Sequence, residues 1–370
     1  MSIPTRKTIL AEQHIEKAIK DFPFYVNDYI RAKKRARLSP GTLSGYLRDY
    51  QKFFDWLRIE GLTDAKHNRD IPYQDLEKLR KKDVEYFIEM LTEEKIEKRK
   101  GVFVKRSEDS VARYIQSLKS LFNYLTQESE NDDGECYFYR NVFTKIKTPK
   151  STESAARRAK RLSSQILEKN EMDDLLDFVK NEYEKGLSPR QLSRFKRDRL
   201  RDIAIISLFQ GSGIRVNELA GLQTTDIDSL KADVNVLRKG SKKDTVSITQ
   251  SALDDLLTYL QERESLYKPE PTNEFVFLTR YGGSANPIGV EAVRALISKY
   301  SKAYLGTKTL KPHLLRHSFA KRWLDEGGSL VGLRDQLGHN TIETTVLYTN
   351  FSQEEQRKVL KRMDSNKDSD

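Results

Sequence analysis

The sequence predicts a mostly helical chain of two domains, a helical bundle followed by a domain of helices around a small antiparallel sheet. Three observations predict it. Apolar residues recur at spacings of three and four through the first 145 positions. The clearest short β-rich runs flank one glycine-containing turn near position 240. The 370 residues suggest two cores at roughly 100–200 residues per domain. The expected boundaries are a helical domain over 1–145, a basic linker over 146–164, a mixed domain over 165–364 and a polar, frayed tail over 365–370.

In chain order, a helical segment is expected around 15–29. Leu38-Ser39-Pro40-Gly41 then offers an N-cap and a first-turn proline to a helix over 42–57, whose stripe is Tyr46, Tyr50, Phe53, Phe54 and Leu57. Those aromatic residues read as core before they read as base-stacking groups. Val84, Phe87, Ile88 and Leu91 repeat the pattern, as do Val111, Tyr114, Ile115, Leu118, Leu121, Phe122 and Leu125. About four helices and no convincing strands are expected in this half, and a small bundle is their natural packing.

Residues 145–161 hold seven Lys/Arg, one acid (Glu153) and no aromatic residue, which reads as an exposed linker, extended near Thr148-Pro149. Beyond it an amphipathic helix is expected over 173–183 and a buried one from 200–209. Short strands over 234–237 and 245–248 enclose Arg238-Lys239-Gly240-Ser241-Lys242-Lys243-Asp244, a cationic hairpin turn. Residues 275–279 could add a third strand. Helices then follow over 291–300, 313–326, 330–337, 342–348 and 353–363.

Composition narrows the function classes. Cys136 is the single cysteine, so an internal disulfide framework and a cysteine-based zinc cluster are excluded. The longest apolar stretch, 203–209, is far short of the ~20 residues of a membrane span. The first twenty residues lack the apolar centre of a secretory signal. An intracellular, cytoplasmic, soluble protein is expected. The formal charge of +11 fits nucleic-acid binding through phosphate neutralisation, although many basic proteins bind none. In residues 145–161 the positive residues are Lys145, Lys147, Lys150, Arg157, Arg158, Lys160 and Arg161, and such one-sign bias suits a strand laid along phosphates. Lys33, Lys34, Arg35 and Arg37 fit a solvated face and a DNA contact equally well.

Three of the five histidines, His313, His317 and His339, fall within 27 residues. His313 and His317 have the i, i+4 spacing of a helical zinc pair, but Leu314 stands where a metalloprotease needs Glu. Arg316 between them would repel a cation. An anion site accounts for the residues better. Arg316 and His313 share one helix face, and a guanidinium fork matches phosphate oxygens. Arg215 follows the Gly211-Ser212-Gly213 turn where a helix starts, a place for backbone N–H donors as well, and Glu218 lies one turn on, placed to orient Arg215 or a neighbouring imidazole. Singly, each residue reads as a surface charge or a cap. Together with the cationic turn they form an inventory for phosphate transfer.

GSGIRVNEL, RKG in a hairpin turn, HLLRH, QLGH and a tyrosine nine residues after the last histidine resemble the tyrosine recombinase (phage integrase) family. Order and spacing agree along the second half of the chain. The segment over 131–142, NDDGECYFYRNV, is similar to the single-recombinase XerS branch of the Xer site-specific recombinases. The resemblance implies a core-binding domain joined to a DNA breaking-rejoining catalytic domain. It implies that Arg215 and Arg316 clamp the scissile phosphate, and that Lys239 protonates the leaving 5′-oxygen, with Lys242 and Lys243 as rivals. His313 would assist proton transfer, His339 would hydrogen-bond the phosphate, and Tyr348 would be the nucleophile. His317 would be structural.

The chemistry fits those roles. A tyrosine hydroxyl, with an ordinary pKa of ~10, needs activation at neutral pH. Two arginines would stabilise both the phenolate and the charge of the transition state, so no metal or other cofactor is required. A 3′-phosphotyrosyl bond conserves the phosphodiester energy, so a 5′-hydroxyl can reverse the attack without ATP. The expected partners are double-stranded DNA with paired inverted-repeat sites, three further copies in a synaptic homotetramer, and a division-septum DNA translocase. Resolution of chromosome or plasmid dimers is the leading role, with integration of a mobile element as the alternative. Remoter alternatives are a type IB topoisomerase-like nicking-closing enzyme and a catalytically silent DNA-binding protein.

Overall fold

A computed structural model describes residues 6–149, 155–238, 242–306 and 309–339. The chain divides into two compact units, Met1–Thr152 and Glu153–Asp370, and each has its own apolar core.

In the first unit, α1 (Arg6–Ala18), α2 (Phe24–Arg35), α3 (Pro40–Ile59), α4 (Tyr73–Lys78), α5 (Lys81–Glu93) and α6 (Glu108–Asn123) surround an aromatic core. Helix α3 begins as its sequence dictates: Ser39 Oγ accepts from Thr42 N at 3.2 Å, with Pro40 in the first turn. Tyr50, Phe53, Phe54 and Leu57 are buried, and the Phe53 ring lies 5.1 Å from Phe87 and 6.3 Å from Phe122. Each such side chain contributes about 1.5–3 kcal/mol by leaving water. Phe138 and Phe143 close the core, the latter 4.6 Å from Phe122.

Two expectations fail in this unit. The helical segment over 15–29 is broken: α1 ends at Ala18, a 3-10 turn covers Ile19–Asp21, and α2 restarts at Phe24. Pro23 has no N–H to donate and pushes Phe22 into extended backbone. The half expected to lack strands holds a hairpin, β1 (Lys95–Arg99) with β2 (Val102–Lys105), turning at Gly101. Its alternation of Ile96, Val102 and Val104 is interrupted by the charged run Lys98-Arg99-Lys100, which hides the period of two.

The second unit opens with α7 (Ala155–Ser163), within the segment that reads as an exposed basic linker. Alanines favour the helix, Ala159 and Leu162 bury one side of it, and Arg157, Lys160 and Arg161 stay exposed. Helix α8 (Lys169–Asp177) continues through a π turn and a 3-10 turn to Gly186. Helix α9 (Pro189–Ser212) runs through the core, and its end is buried on all sides from Arg201 to Ser212. After α10 (Val216–Ala220), the strands β3 (Ile227–Asp228), β4 (Asp233–Leu237) and β5 (Lys243–Ser247) form an antiparallel sheet in that order. Val234, Val236 and Val246 face the core while their neighbours point outward, and β4 pairs with β5 from Asp233↔Ser247 to Leu237↔Lys243.

Helix α11 (Gln250–Tyr267), unforeseen in the sequence, packs along α9. The strand expected over 275–279 instead begins at Leu278: β6 (Leu278–Tyr281) pairs only with β7 (Ser284–Pro287). Then come α12 (Val290–Leu305), α13 (Pro312–Asp325) and α14 (Leu330–Leu337). The helices expected over 342–348 and 353–363, and the tail over 365–370, lie outside the described residues. Among those described, no helix is long and apolar enough to cross a membrane.

Candidate active site

The end of α9 sets up the site. Gly213 takes a left-handed conformation (φ +65°), and its N–H closes onto Phe209 O at 3.1 Å. A Cβ there would stand 2.5 Å from the Phe319 ring and 2.9 Å from Leu337, so only glycine allows α9, α13 and α14 to meet. Arg215 caps α10 two residues later. Glu218 accepts its backbone N–H at 2.9 Å and its Nη1 at 2.9 Å. That backbone donor, expected to face an anion, is therefore occupied by the chain's own carboxylate.

Helix α13 carries Arg316, 2% exposed, which donates to Gly213 O at 2.7 Å and Leu337 O at 2.5 Å. His313 lies one turn earlier and is exposed. Its ring meets that of buried His317 edge-on at 4.2 Å. Among the described residues no group of three or more His, Cys, Asp or Glu is placed to hold a metal ion.

Helix α14 starts on Ser329, whose Oγ accepts from Gly332 N at 3.0 Å, and ends at Gly338 (φ +58°). The His339 N–H then turns back to Arg334 O at 3.0 Å. Three arginines grip this helix end. Arg238 donates to Gln336 O at 3.1 Å and Leu337 O at 2.8 Å, Arg316 to Leu337 O, and Arg215 to Gly338 O at 2.9 Å. Cations suit the negative end of a helix. Gln336 adds a further tie, with Nε2 donating to Ser212 O at 3.0 Å and Ser247 O at 2.7 Å.

The field is strongly positive. Burial, then the charges of Arg316, Arg215, Arg238 and His313, push His339 down to about 4. Its imidazole is therefore neutral at pH 7. The structure thus brings Arg215, Glu218, His313, Arg316 and His339 into one neighbourhood. Lys239 and Tyr348 lie outside the described residues. Lys242 and Lys243 are exposed on the hairpin stem, where Arg238 N donates to Lys242 O at 2.8 Å.

Arg238 and Gln336 were missed in the sequence. The QLGH string contains Gln336, but nothing local tells that it bridges two other elements. Arg238 sits next to the lysine of the turn and reads there as one more cation.

The basic residues fall into distinct settings. Lys33 is tied to Glu128 at 2.6 Å and packs over the Tyr29 and Tyr124 rings, which favours a structural role. Lys34, Arg35 and Arg37 are exposed around the end of α2, and Lys145 and Lys147 are exposed further on. Arg157, Lys160 and Arg161 line α7; Lys150 and the side chain of Arg158 are not among the described parts.

Comparison with known proteins places this arrangement. The profile of the phage integrase family matches residues 165–355. The chain is 37% identical over 358 residues to the tyrosine recombinase XerS of Streptococcus gordonii, covering 97% of this chain and 100% of that one. The XerS of Streptococcus mutans matches at 37% over 362 residues, with the same two coverages. Among solved structures, the fold is similar to that of the XerH site-specific recombinase in a post-cleavage complex with a palindromic difH substrate. That match has a TM-score of 0.60 and 18% identity, covering 87% of this chain and 78% of that one.

Proposed function

This chain belongs to the phage integrase family of tyrosine recombinases, DNA strand-exchange enzymes, and from that premise we propose how its residues divide the work. Tyr348 Oη attacks the scissile phosphorus of double-stranded DNA. The bond to the 5′-oxygen breaks, that oxygen takes a proton from Lys239, and a 3′-phosphotyrosyl link remains. The 5′-hydroxyl of a partner strand then attacks the link, and the tyrosine leaves with its proton restored. Two such exchanges pass through a Holliday junction.

Arg215 and Arg316 hold the non-bridging oxygens, and neutral His339 hydrogen-bonds one of them. His313 takes the tyrosine proton, and Glu218 holds Arg215 in register. Lys242 and Lys243 are the alternatives for the acid. The observation that carries the reading is the convergence of both arginines on α14 beside His339, from positions a hundred residues apart.

The substrate we propose is a pair of inverted-repeat sites bound by four copies in the cytoplasm. XerS relatives at 37% identity over the whole length favour Xer-like resolution of chromosome or plasmid dimers, with a septal DNA translocase as partner. The test is a suicide-substrate gel with duplexes tiling the DNA that flanks its gene. Wild type should yield a covalent complex and Tyr348→Phe none; a covalent product from the phenylalanine variant would overturn the nucleophile. Residues 353–363 are proposed to pack on a neighbouring copy. Truncation after Ser352 should keep single-site binding and lose cooperative assembly, and unchanged cooperativity would contradict that.

A further inference from the structure

We propose that Arg238 is a positioning residue for strand cleavage: it fastens the carbonyl end of α14 to Glu218 and to the β4–β5 stem, and so sets the spacing of Arg215 and Arg316. This rests on the reading of those two arginines as the phosphate clamp. All three nitrogens of the Arg238 fork are engaged with protein. Nε donates to Asp244 Oδ2 at 2.9 Å, Nη1 to Leu337 O at 2.8 Å and Glu218 Oε1 at 3.3 Å, and Nη2 to Gln336 O at 3.1 Å.

Its side chain is 8% exposed, against 37% for Arg215. Arg238 is therefore a brace and Arg215 the group that an incoming anion reaches. Glu218 Oε1 accepts from both, so the brace acts on Arg215 through a shared atom. Gly338 is the complement of the brace: a Cβ there would lie 2.4 Å from Arg238 Cζ. Lysine cannot replace a planar fork that meets four separate acceptors.

The test uses full-length protein, with site affinity and the rate of covalent-complex formation measured separately. Arg238→Ala should bind site DNA as wild type does and cleave about 10- to 100-fold more slowly, the cost of a small misplacement of reacting groups. Guanidinium ion added to Arg238→Ala should recover part of the rate, and Arg238→Lys should recover less. Gly338→Ala, which evicts the fork, should copy the Arg238→Ala defect. Paired with Glu218→Gln, Arg238→Ala should add little further loss; additive losses would overturn action through Glu218. Wild-type cleavage by a folded Arg238→Ala variant would overturn the proposal. If Arg316→Ala still cleaved, the clamp reading itself would fall, which is a separate outcome.

In the first unit, the β1–β2 hairpin carries an independent feature. It pairs with no other strand, and none of its described side chains is buried. Val102 and Phe103 are 48% and 61% exposed, although an isolated two-stranded ribbon is marginal in water. Residues 95–104 hold Lys95, Lys98, Arg99 and Lys100 against Glu97 alone. We infer that this ribbon lies in the major groove of the bound duplex, whose width admits two strands, with Lys95 and Lys100 on phosphates and Phe103 against base edges. This rests on the DNA-binding reading.

Lys95→Glu/Lys100→Glu should weaken site binding and lower the slope of log affinity against log salt by about 1–2. Phe103→Ser should weaken binding with the slope unchanged. Wild-type affinity and slope in the double variant would overturn the inference. So would intact single-site binding with lost cooperativity, which would mean that the ribbon meets a second copy. Absence of DNA binding by the wild type would instead overturn the proposed function.

Discussion

Two buried arginine centres in the second unit answer the same electrostatic problem differently. On α9, Arg201 is 6% exposed and forms an ion pair with Asp202, 1% exposed, at 2.5 Å. Asp198 lies 3.5 Å from its guanidinium, Leu278 O accepts Nη1 at 2.9 Å, and the Tyr300 hydroxyl donates to Asp202 at 2.6 Å. Burial opposes the charge of Arg201, but Asp202, Tyr267 and Asp198 outweigh it and raise its pKa. Burial, then Asp202, raises that of Tyr300.

At the end of α14, one buried carboxylate, Glu218, stands between two guanidiniums, and three arginines lean on neutral carbonyls. The first centre is locked by a network of ion pairs in which Arg197, Arg201 and Lys299 share Asp198 and Asp202. In the second, Arg215 and Arg238 share Glu218 and Arg238 also pairs with Asp244, while carbonyl dipoles at the end of α14 hold all three guanidiniums in addition. The use of helix-end carbonyls as acceptors thus separates the second centre from the first.

The largest effect should come from removing one arginine of each kind. Arg316→Ala should lower the rate of covalent-complex formation by about 100- to 1000-fold, as loss of a transition-state donor does. Arg201→Ala should instead destabilise the fold by about 3–5 kcal/mol, because buried Asp202 loses its nearest cation and keeps only the more distant Lys299. Urea unfolding read beside the cleavage rate checks both. If Arg201→Ala lost activity at wild-type stability, the contrast would be broken.

An intermediate effect is expected at the glycine where the centres' supporting helices meet. Gly213→Ala must adopt φ +65° and push against Phe319 and Leu337, which should cost about 1–3 kcal/mol. It should also slow cleavage, since Leu337 O is an acceptor of Arg316. Lost stability with unchanged cleavage would show that the two centres do not share this support.

The smallest effect is a pH dependence that belongs to the second centre alone. Folded His339 takes a proton only near pH 4, whereas the unfolded chain takes it near 6.5. The unfolded state binds more protons between those values, so stability should fall as the pH drops from about 6.5 to about 4. Thermal midpoints of His339→Gln across that window should fall less steeply than those of wild type. Equal slopes would mean that His339 is not held neutral by burial and its arginines.

The comparison also explains what the sequence could and could not tell. Arg215, His313, Arg316 and His339 sit in short strings whose spacing is itself informative, and α14 spans residues 330–337 as its pattern predicts. The Ser39-Pro40 signal reads correctly because a cap is local. Arg238 could not be read this way, since the two acceptors that tie it to α14 lie 98 and 99 residues downstream and are backbone carbonyls. A carbonyl carries no residue identity. Helix α11 was hidden for another reason: Arg263 occupies its buried face, satisfied by the carbonyls of Phe275 and Asn273 rather than by apolar contacts. The β1–β2 hairpin shows the converse, a period of two obscured by charges at its tip.

Helix α14 has a consequence for how this polypeptide can vary in length. Each residue added to a helix turns everything beyond it by about 100° and advances it by about 1.5 Å. A single insertion or deletion between Ser329 and Gly338 would swing the three gripped carbonyls away from Arg215, Arg238 and Arg316 at once, while carrying His339 with them. Substitutions on its outer side, at exposed Val331 for example, leave that alignment untouched. The eight-residue rod is a calibrated spacer, tolerant of new side chains and intolerant of any change in count.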